Sequence, residues 1–205
     1  AETLLMGRVR TEEKKMEYTG IITKEVSRLT NMVNRILSFS KMEANKREYS
    51  KQELSVNAVA EEVMNTYSYH LENNGFAYAY EPTEPLPPVS ADREAIIEVV
   101  VNLIDNAMKY SLQTKKVEIH TGMEEGMACI KVKDHGMGIP KNQLNKLFEK
   151  FYRVPNGDVH ETKGAGLGLT IVKQIMDAHE GKIKVESIEG RGSAFKLLFP
   201  IIENW

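Results

Sequence analysis

Residues 98–111, Glu-Val-Val-Val-Asn-Leu-Ile-Asp-Asn-Ala-Met-Lys-Tyr-Ser, constrain the fold more than any other stretch. At helical period Glu98, Asn102 and Asn106 stack along one face. Val99, Val100, Leu103, Ile104 and Ala107 fill much of the remaining circumference. A helix that is apolar over most of its surface is buried. A buried file of one carboxylate and two carboxamides needs partners for those groups. Two readings follow. The file either ties core elements together as a polar network or forms a metal and phosphate site. Carboxamide oxygens are hard ligands suited to Mg²⁺, which completes its octahedron with water and substrate phosphates.

Two downstream stretches favour the second reading. Residues 134–139 read Asp-His-Gly-Met-Gly-Ile, and residues 164–169 read Gly-Ala-Gly-Leu-Gly-Leu. The latter opens an apolar periodic segment through Met176. A glycine-rich entry to a helix gathers free backbone N–H groups at the positive end of the dipole, which suits a phosphate. The spacing is not that of a dinucleotide fingerprint, and the Gly-Lys-Ser/Thr ending of a P-loop is absent.

In this order the motifs closely resemble the ATP-binding domain of two-component sensor histidine kinases, within the gyrase, heat-shock chaperone, histidine kinase and mismatch-repair ATPase superfamily. Glu98–Tyr110 matches the N box, Asp134–Gly138 the G1 box, Phe148–Arg153 the F box and Gly164–Gly168 the G2 box. The resemblance spans essentially the whole chain.

Composition sets outer bounds. With 205 residues, 41% hydrophobic and 27% charged, the chain suits one good core plus an appendage. A net charge of −2 supplies no basic field for nucleic acid or an acidic membrane surface. The single cysteine, Cys129, excludes an internal disulfide and reads as a small buried hydrophobe. No apolar run reaches the ~18 residues that read as a membrane span, and no signal peptide is visible. Ala1–Met6 reads as the end of a helix already under way, which suggests an excised fragment.

Taken in order, Gly7 fits a helix-closing position and Thr11 a helix cap followed by Glu12 and Glu13. A long helix is expected to about Asn45, with a seam of Ile22, Val26, Leu29, Val33 and Ile36. Ile21, Met32, Leu37 and Phe39 widen that stripe, as in a four-helix bundle completed by a second chain. The segment resembles the second helix of the dimerisation and phosphotransfer domain of the same kinases. The phospho-acceptor histidine expected in the first helix is absent, because no histidine precedes His70. After a hinge at Lys46–Ser50 come a strand in Tyr49–Leu54 and a helix capped by Ser55 or Asn57. A strand over Phe76–Tyr80, a proline loop and the central helix capped by Asp92 follow. Lys116–Thr121 and Met127–Lys133 form a hairpin, residues 140–163 a lid, and Lys182–Ser187 and Ala194–Ile201 two last strands. The class is α+β, helices on one face of a mixed sheet. The resemblance implies the Bergerat-type sandwich, preceded by a helix of a dimeric bundle. The division is 1–48, helical segment, and 49–205, ATP-binding domain.

The resemblance also implies roles. Asp134 would accept the adenine amine, with Gly136, Gly138 and Ile139 shaping that turn, and Tyr110 would lie against the ring. Asn106 would ligate Mg²⁺ with Asn102 beside it, and Lys109 would meet phosphate. Gly164, Gly166, Leu167 and Gly168 would cradle the phosphates. Lys163 and Arg153 are either γ-phosphate contacts or solvated lid charges. Glu98 either matches the carboxylate that activates water in ATP-hydrolysing relatives or plays a structural or acceptor-polarising part. The implied activity is ATP-dependent phosphorylation of a histidine outside this fragment, for relay to a response-regulator receiver domain. Glu98, Asn102 and Lys109 are the catalytic candidates, and this fragment alone would not phosphorylate itself. A homodimer, a cytoplasmic bacterial setting and a parent protein that can be membrane-anchored are implied too. The competing readings are a free-standing ATPase and a silent dimerisation or docking module.

Overall fold

The computed structural model describes residues 2–6, 11–43, 47–111, 113–153 and 166–202. The elements are α1 (Glu2–Leu5), α2 (Glu12–Glu43), β1 (Gln52–Leu54), α3 (Val56–Asn73), β2 (Ala77–Glu81), β3 (Val89–Ala91), α4 (Arg93–Tyr110), β4 (Lys116–Glu124), β5 (Met127–Asp134), a 3-10 turn (Lys141–Lys146), α5 (Gly168–Ala178), β6 (Lys182–Ile188) and β7 (Gly192–Phe199). They fall into two compact units, Ala1–Ala44 and Asn45–Trp205.

In the first unit Thr11 Oγ1 accepts the Lys14 amide at 3.4 Å, one residue ahead of α2. The apolar stripe of α2 lies open in the chain: Val26 is 56% exposed, Leu29 52% and Val33 53%. Among the described residues, no helix is long and apolar enough to cross a membrane.

In the second unit, the caps explain where the helices start. Ser55 Oγ accepts the Ala58 amide and opens α3, and Asp92 Oδ1 accepts the Ala95 amide at 2.9 Å and opens α4. Asn57, the other candidate cap of α3, is used differently. Its amide donates to Thr83 O, and its oxygen accepts Thr121 Oγ1. Ala95, Ile96, Val99, Val100, Leu103, Ile104 and Ala107 bury most of the α4 surface. Full burial of a Val- or Leu-sized side chain is worth about 1.5–3 kcal/mol, so α4 anchors the core.

Five strands form one sheet in the order β2-β4-β5-β7-β6. Only β2 and β4 pair in parallel; the other neighbours are antiparallel. A parallel pair needs a crossover, and α4 lies within the one between β2 and β4. Strand alternation sends Val117, Ile119, Ile130, Val132, Phe195 and Leu197 into the core beneath the helices. Glu118, Lys131, Lys133 and Lys196 alternate onto the opposite face. The class is therefore α+β, a mixed sheet with helices layered on it. The sequence did not reveal β3, which pairs antiparallel with β1 as a separate ladder. The first strand is also shorter than Tyr49–Leu54, because Ser50 gives its amide to Asp92 Oδ2 at 2.8 Å instead of to a ladder. Gly7, Lys46 and the later part of the 140–163 segment lie outside the described residues.

Candidate functional site

The carboxamide file of α4 meets the glycine-led start of α5. Asn102 is buried and its Nδ2 donates to Glu98 O at 2.9 Å. A carbonyl can only accept, so the amide nitrogen must face it and Oδ1 is turned the other way. A Cβ placed on Gly168 would lie 3.2 Å from Asn102 Oδ1 and 4.0 Å from Asn106 Nδ2. Both carboxamides thus border one space, which only a residue without a side chain leaves open. Helix α5 begins there with Leu167 at its cap position and no side-chain cap bond, unlike α3 and α4. The N–H groups of its first turn have no intrahelical partner and lie at the positive end of the dipole.

The Asp134 turn forms a second wall. Asp134 ends β5, is 7% exposed, and its Oδ1 accepts both Gly136 N at 2.8 Å and Ser193 N at 3.2 Å. Oδ2 accepts no hydrogen bond from the described residues. Burial pushes the Asp134 carboxyl above its usual value, against the lowering effect of those two amides. Gly136 is required by close approach: its Cβ would stand 2.3 Å from Tyr110 O. Gly138 has φ +66°, and its Cβ would meet Ile188 O at 2.1 Å. The turn is tied to α4 by Met137 N donating to Tyr110 O, and Ile139 N donates to Ser187 Oγ at 2.8 Å. Lys109 Nζ lies 4.8 Å from the centre of the Tyr110 ring, a cation–π contact at the end of the same helix.

The aromatic segment joins through Thr170, whose hydroxyl bonds the Phe148 and Glu149 carbonyls at 3.3 and 3.4 Å. Gly166, at φ +71°, packs on the Phe151 backbone. Lys163 and Gly164 lie outside the described residues. Asn102, Asn106, Gly166, Leu167 and Gly168 come together, and Tyr110, Asp134, Gly136 and Gly138 form the adjoining turn.

Glu98 is engaged elsewhere. Its carboxylate is 2.8 Å from Arg47 Nη2, and Arg47 also stacks over Tyr49. Tyr49 packs edge-on against His179, whose Nε2 accepts the Asp92 amide at 3.0 Å while Nδ1 bonds Ile175 O at 2.7 Å. That fixes a neutral ring with its hydrogen on Nδ1. Burial pushes the His179 pKa down. Burial would also raise the Asp92 carboxyl, but the amides of Ala95 and Ser50 outweigh it and hold the group low. Sequence reasoning missed Arg47, Thr170, Ser193 and the pairing of His135 with Glu118. Only the strand alternation around Glu118 hinted at the last of these.

The geometry agrees with what comparison finds. Residues 91–203 match the family described as histidine kinase-, DNA gyrase B-, and HSP90-like ATPase. The chain is 36% identical over 190 residues to the sensor protein RprX of Bacteroides fragilis (strain YCH46), covering 91% of this chain and 36% of that protein. It is 32% identical over 201 residues to the sensor protein kinase WalK of Staphylococcus saprophyticus, covering 97% of this chain and 33% of that one. The chain therefore spans about a third of each relative's length. The crystal structure of histidine kinase ThkA in complex with response regulator protein TrrA superposes with a TM-score of 0.71 at 26% identity, covering 98% of this chain and 57% of that one. Because that family's match covers residues 91–203, more than half of the 205-residue chain, the chain belongs to the histidine kinase-, DNA gyrase B- and HSP90-like ATPase family.

Proposed function

We propose that this chain is the ATP-binding catalytic core of a sensor histidine kinase, transferring the γ-phosphoryl group of ATP to a histidine carried outside residues 1–205. The observation that carries the reading is the shared space between Asn102, Asn106 and Gly168 at the uncapped start of α5. Amides aimed at one point bind phosphate. Asp134 Oδ2 accepts the adenine amine, and Tyr110 and Lys109 border the base and the phosphates.

The donor set fits Mg²⁺: a hard carboxamide oxygen faces the cradle, and no dedicated cluster of three acidic, His or Cys ligands occurs among the described residues. Such an ion would be held with the substrate phosphates by the Asn106 and Asn102 carboxamides, of which Asn102 turns Oδ1 and Asn106 turns Nδ2 toward Gly168, and would supply charge neutralisation. Phosphoryl transfer depends on positioning and electrostatics more than on a covalent protein intermediate. The chain's residues accordingly bind and orient the nucleotide, and the attacking imidazole comes from an acceptor. The ion pair of Glu98 with Arg47 supports a structural part for that carboxylate in place of water activation.

The exposed stripe of α2 fits a dimer built from two copies, with residues 1–48 as the helical segment and 49–205 as the nucleotide domain. A receiver domain is the onward partner. The ThkA relative, crystallised with a response regulator, supports that assignment. The test has two arms. Calorimetry should show ADP binding that strengthens with Mg²⁺, and the chain should label a supplied acceptor helical domain from γ-labelled ATP while releasing little free phosphate. Steady phosphate release without acceptor labelling would make it an ATPase, and absent nucleotide binding would leave only a docking module.

A further inference from the structure

Behind the Asp134 turn, on the sheet face opposite the helices, one glutamate gathers three donors. Glu118 lies opposite Lys133 in the β4–β5 ladder, as Val117 lies opposite Asp134. Side chains alternate along a strand, so Asp134 faces the helix side and Glu118 the other. The Glu118 side chain is 12% exposed. Its Oε1 accepts Lys116 Nζ at 2.6 Å, and its Oε2 accepts Lys133 Nζ at 2.9 Å and His135 Nε2 at 2.7 Å. The three donors hold its carboxyl far below the usual range, so it is an acceptor and His135 Nε2 carries the hydrogen.

Two lysines on neighbouring strand positions would satisfy a structural glutamate. The third donor is of another kind. His135 is the residue between Asp134 and Gly136, where the β5 ladder has ended. The next tether along the turn is Met137 N on Tyr110 O. Of the two Asp134 oxygens, Oδ1 is held by Gly136 N within the turn and by Ser193 N of β7, so where Oδ2 points depends on β7 and on how the peptide after Asp134 is held. His135 holds that peptide from behind.

We infer that the His135–Glu118 pair is a positioning device for base recognition, fixing the direction of Asp134 Oδ2 so that the site prefers a base bearing an exocyclic amine. This rests on the reading that Asp134 meets that amine. Neither His135 nor Glu118 touches nucleotide in this scheme. Their effect is on selectivity between bases and not on phosphate affinity.

The test measures ADP and inosine diphosphate affinities for the whole chain by calorimetry with Mg²⁺. Inosine diphosphate has a carbonyl where ADP has the amine. The wild-type chain should prefer ADP. His135→Ala should cut that preference about tenfold, the value of one charge-assisted hydrogen bond, while inosine diphosphate binding stays near wild type. Glu118→Gln should shift it the same way. His135→Gln, which keeps an N–H donor at similar reach, should restore the preference. A purely structural network predicts otherwise: both nucleotides weaken equally in His135→Ala, or His135→Gln fails to rescue, and either result overturns the inference. Asp134→Asn separates the two layers. If it abolishes the preference while His135→Ala leaves it intact, base recognition stands and the positioning role falls. If it leaves the preference intact, both fall.

Discussion

Gly168→Ala separates packing from binding, because the space beside Gly168 is closed by side chains, Asn102 the nearer, and not by backbone. A Cβ there would stand 3.2 Å from Asn102 Oδ1. Relief needs a shift of a few tenths of an ångström by that amide. The amide is held on its other side by the 2.9 Å bond to Glu98 O. Weakening that bond costs about 0.5–1.5 kcal/mol. Replacing Gly by Ala in a helix returns up to about 1 kcal/mol, less at a first position such as this. The two nearly cancel, so stability should change by less than about 1 kcal/mol. Binding should not escape. The new methyl occupies the space between the carboxamides and the start of α5 where phosphate is to sit, and ADP affinity should fall at least about tenfold, some 1.4 kcal/mol. Urea unfolding without nucleotide and calorimetry with ADP and Mg²⁺ measure the two quantities on one preparation. Unchanged affinity would refute the placement of phosphate at α5. A stability loss above about 3 kcal/mol would refute the packing argument, since that is the scale of a true core clash. Gly136→Ala is the contrast, because its Cβ would meet a backbone oxygen at 2.3 Å and should destabilise the fold outright.

Three further outcomes are expected. His179 has a folded pKa below its ordinary 6.5, so unfolding takes up a proton; its contribution is intact above that pH and erodes as pH falls through 6.5 toward the lowered value. Urea unfolding between about pH 8 and pH 5.5 should show this slope, and His179→Gln should flatten it. A double-mutant cycle on Arg47→Ala and Glu98→Gln should give a coupling of at most about 1 kcal/mol with ADP affinity unchanged; lost ADP binding in Glu98→Gln would return that carboxylate to the site. Leu29→Asp puts a charge into the exposed stripe of α2 and should give a monomer by sedimentation while ADP binding survives. Joint loss of both would make the two units one cooperative core.

Much of the local geometry around the candidate site was legible because its signals are local. The α4 file reads directly from helical period, Asp92 and Ser55 announce caps, and Gly136 and Gly168 mark close approach one motif at a time. What escaped is set by pairing between distant segments. β3 is three residues long, follows Pro87 and Pro88, and is set by its pairing with β1 and by the Val89–Ile201 bridge. The partner of Glu98 comes from residue 47, and no pattern within α4 predicts it. Glu118 showed as one polar residue in an alternating strand, and its link to His135 appears only once the register sets Val117 opposite Asp134. Asn57 shows the reverse error, a plausible local cap drawn away by Thr83 and Thr121.

Cys129 sits in β5 with Gly122 opposite on one side and Leu198 on the other. It is 6% exposed, and burial pushes its thiol up to about 11. Only about one molecule in a thousand then carries a thiolate at pH 8, and that thiolate is walled in. As the only cysteine in the sequence, and on the same sheet face as Lys131 and Lys196, it is a built-in clock for the uncovering of that face. The rate at which an alkylating reagent is consumed by native protein times that opening. Slowing of the clock by ADP would report how far nucleotide tightens the sheet, with no label introduced.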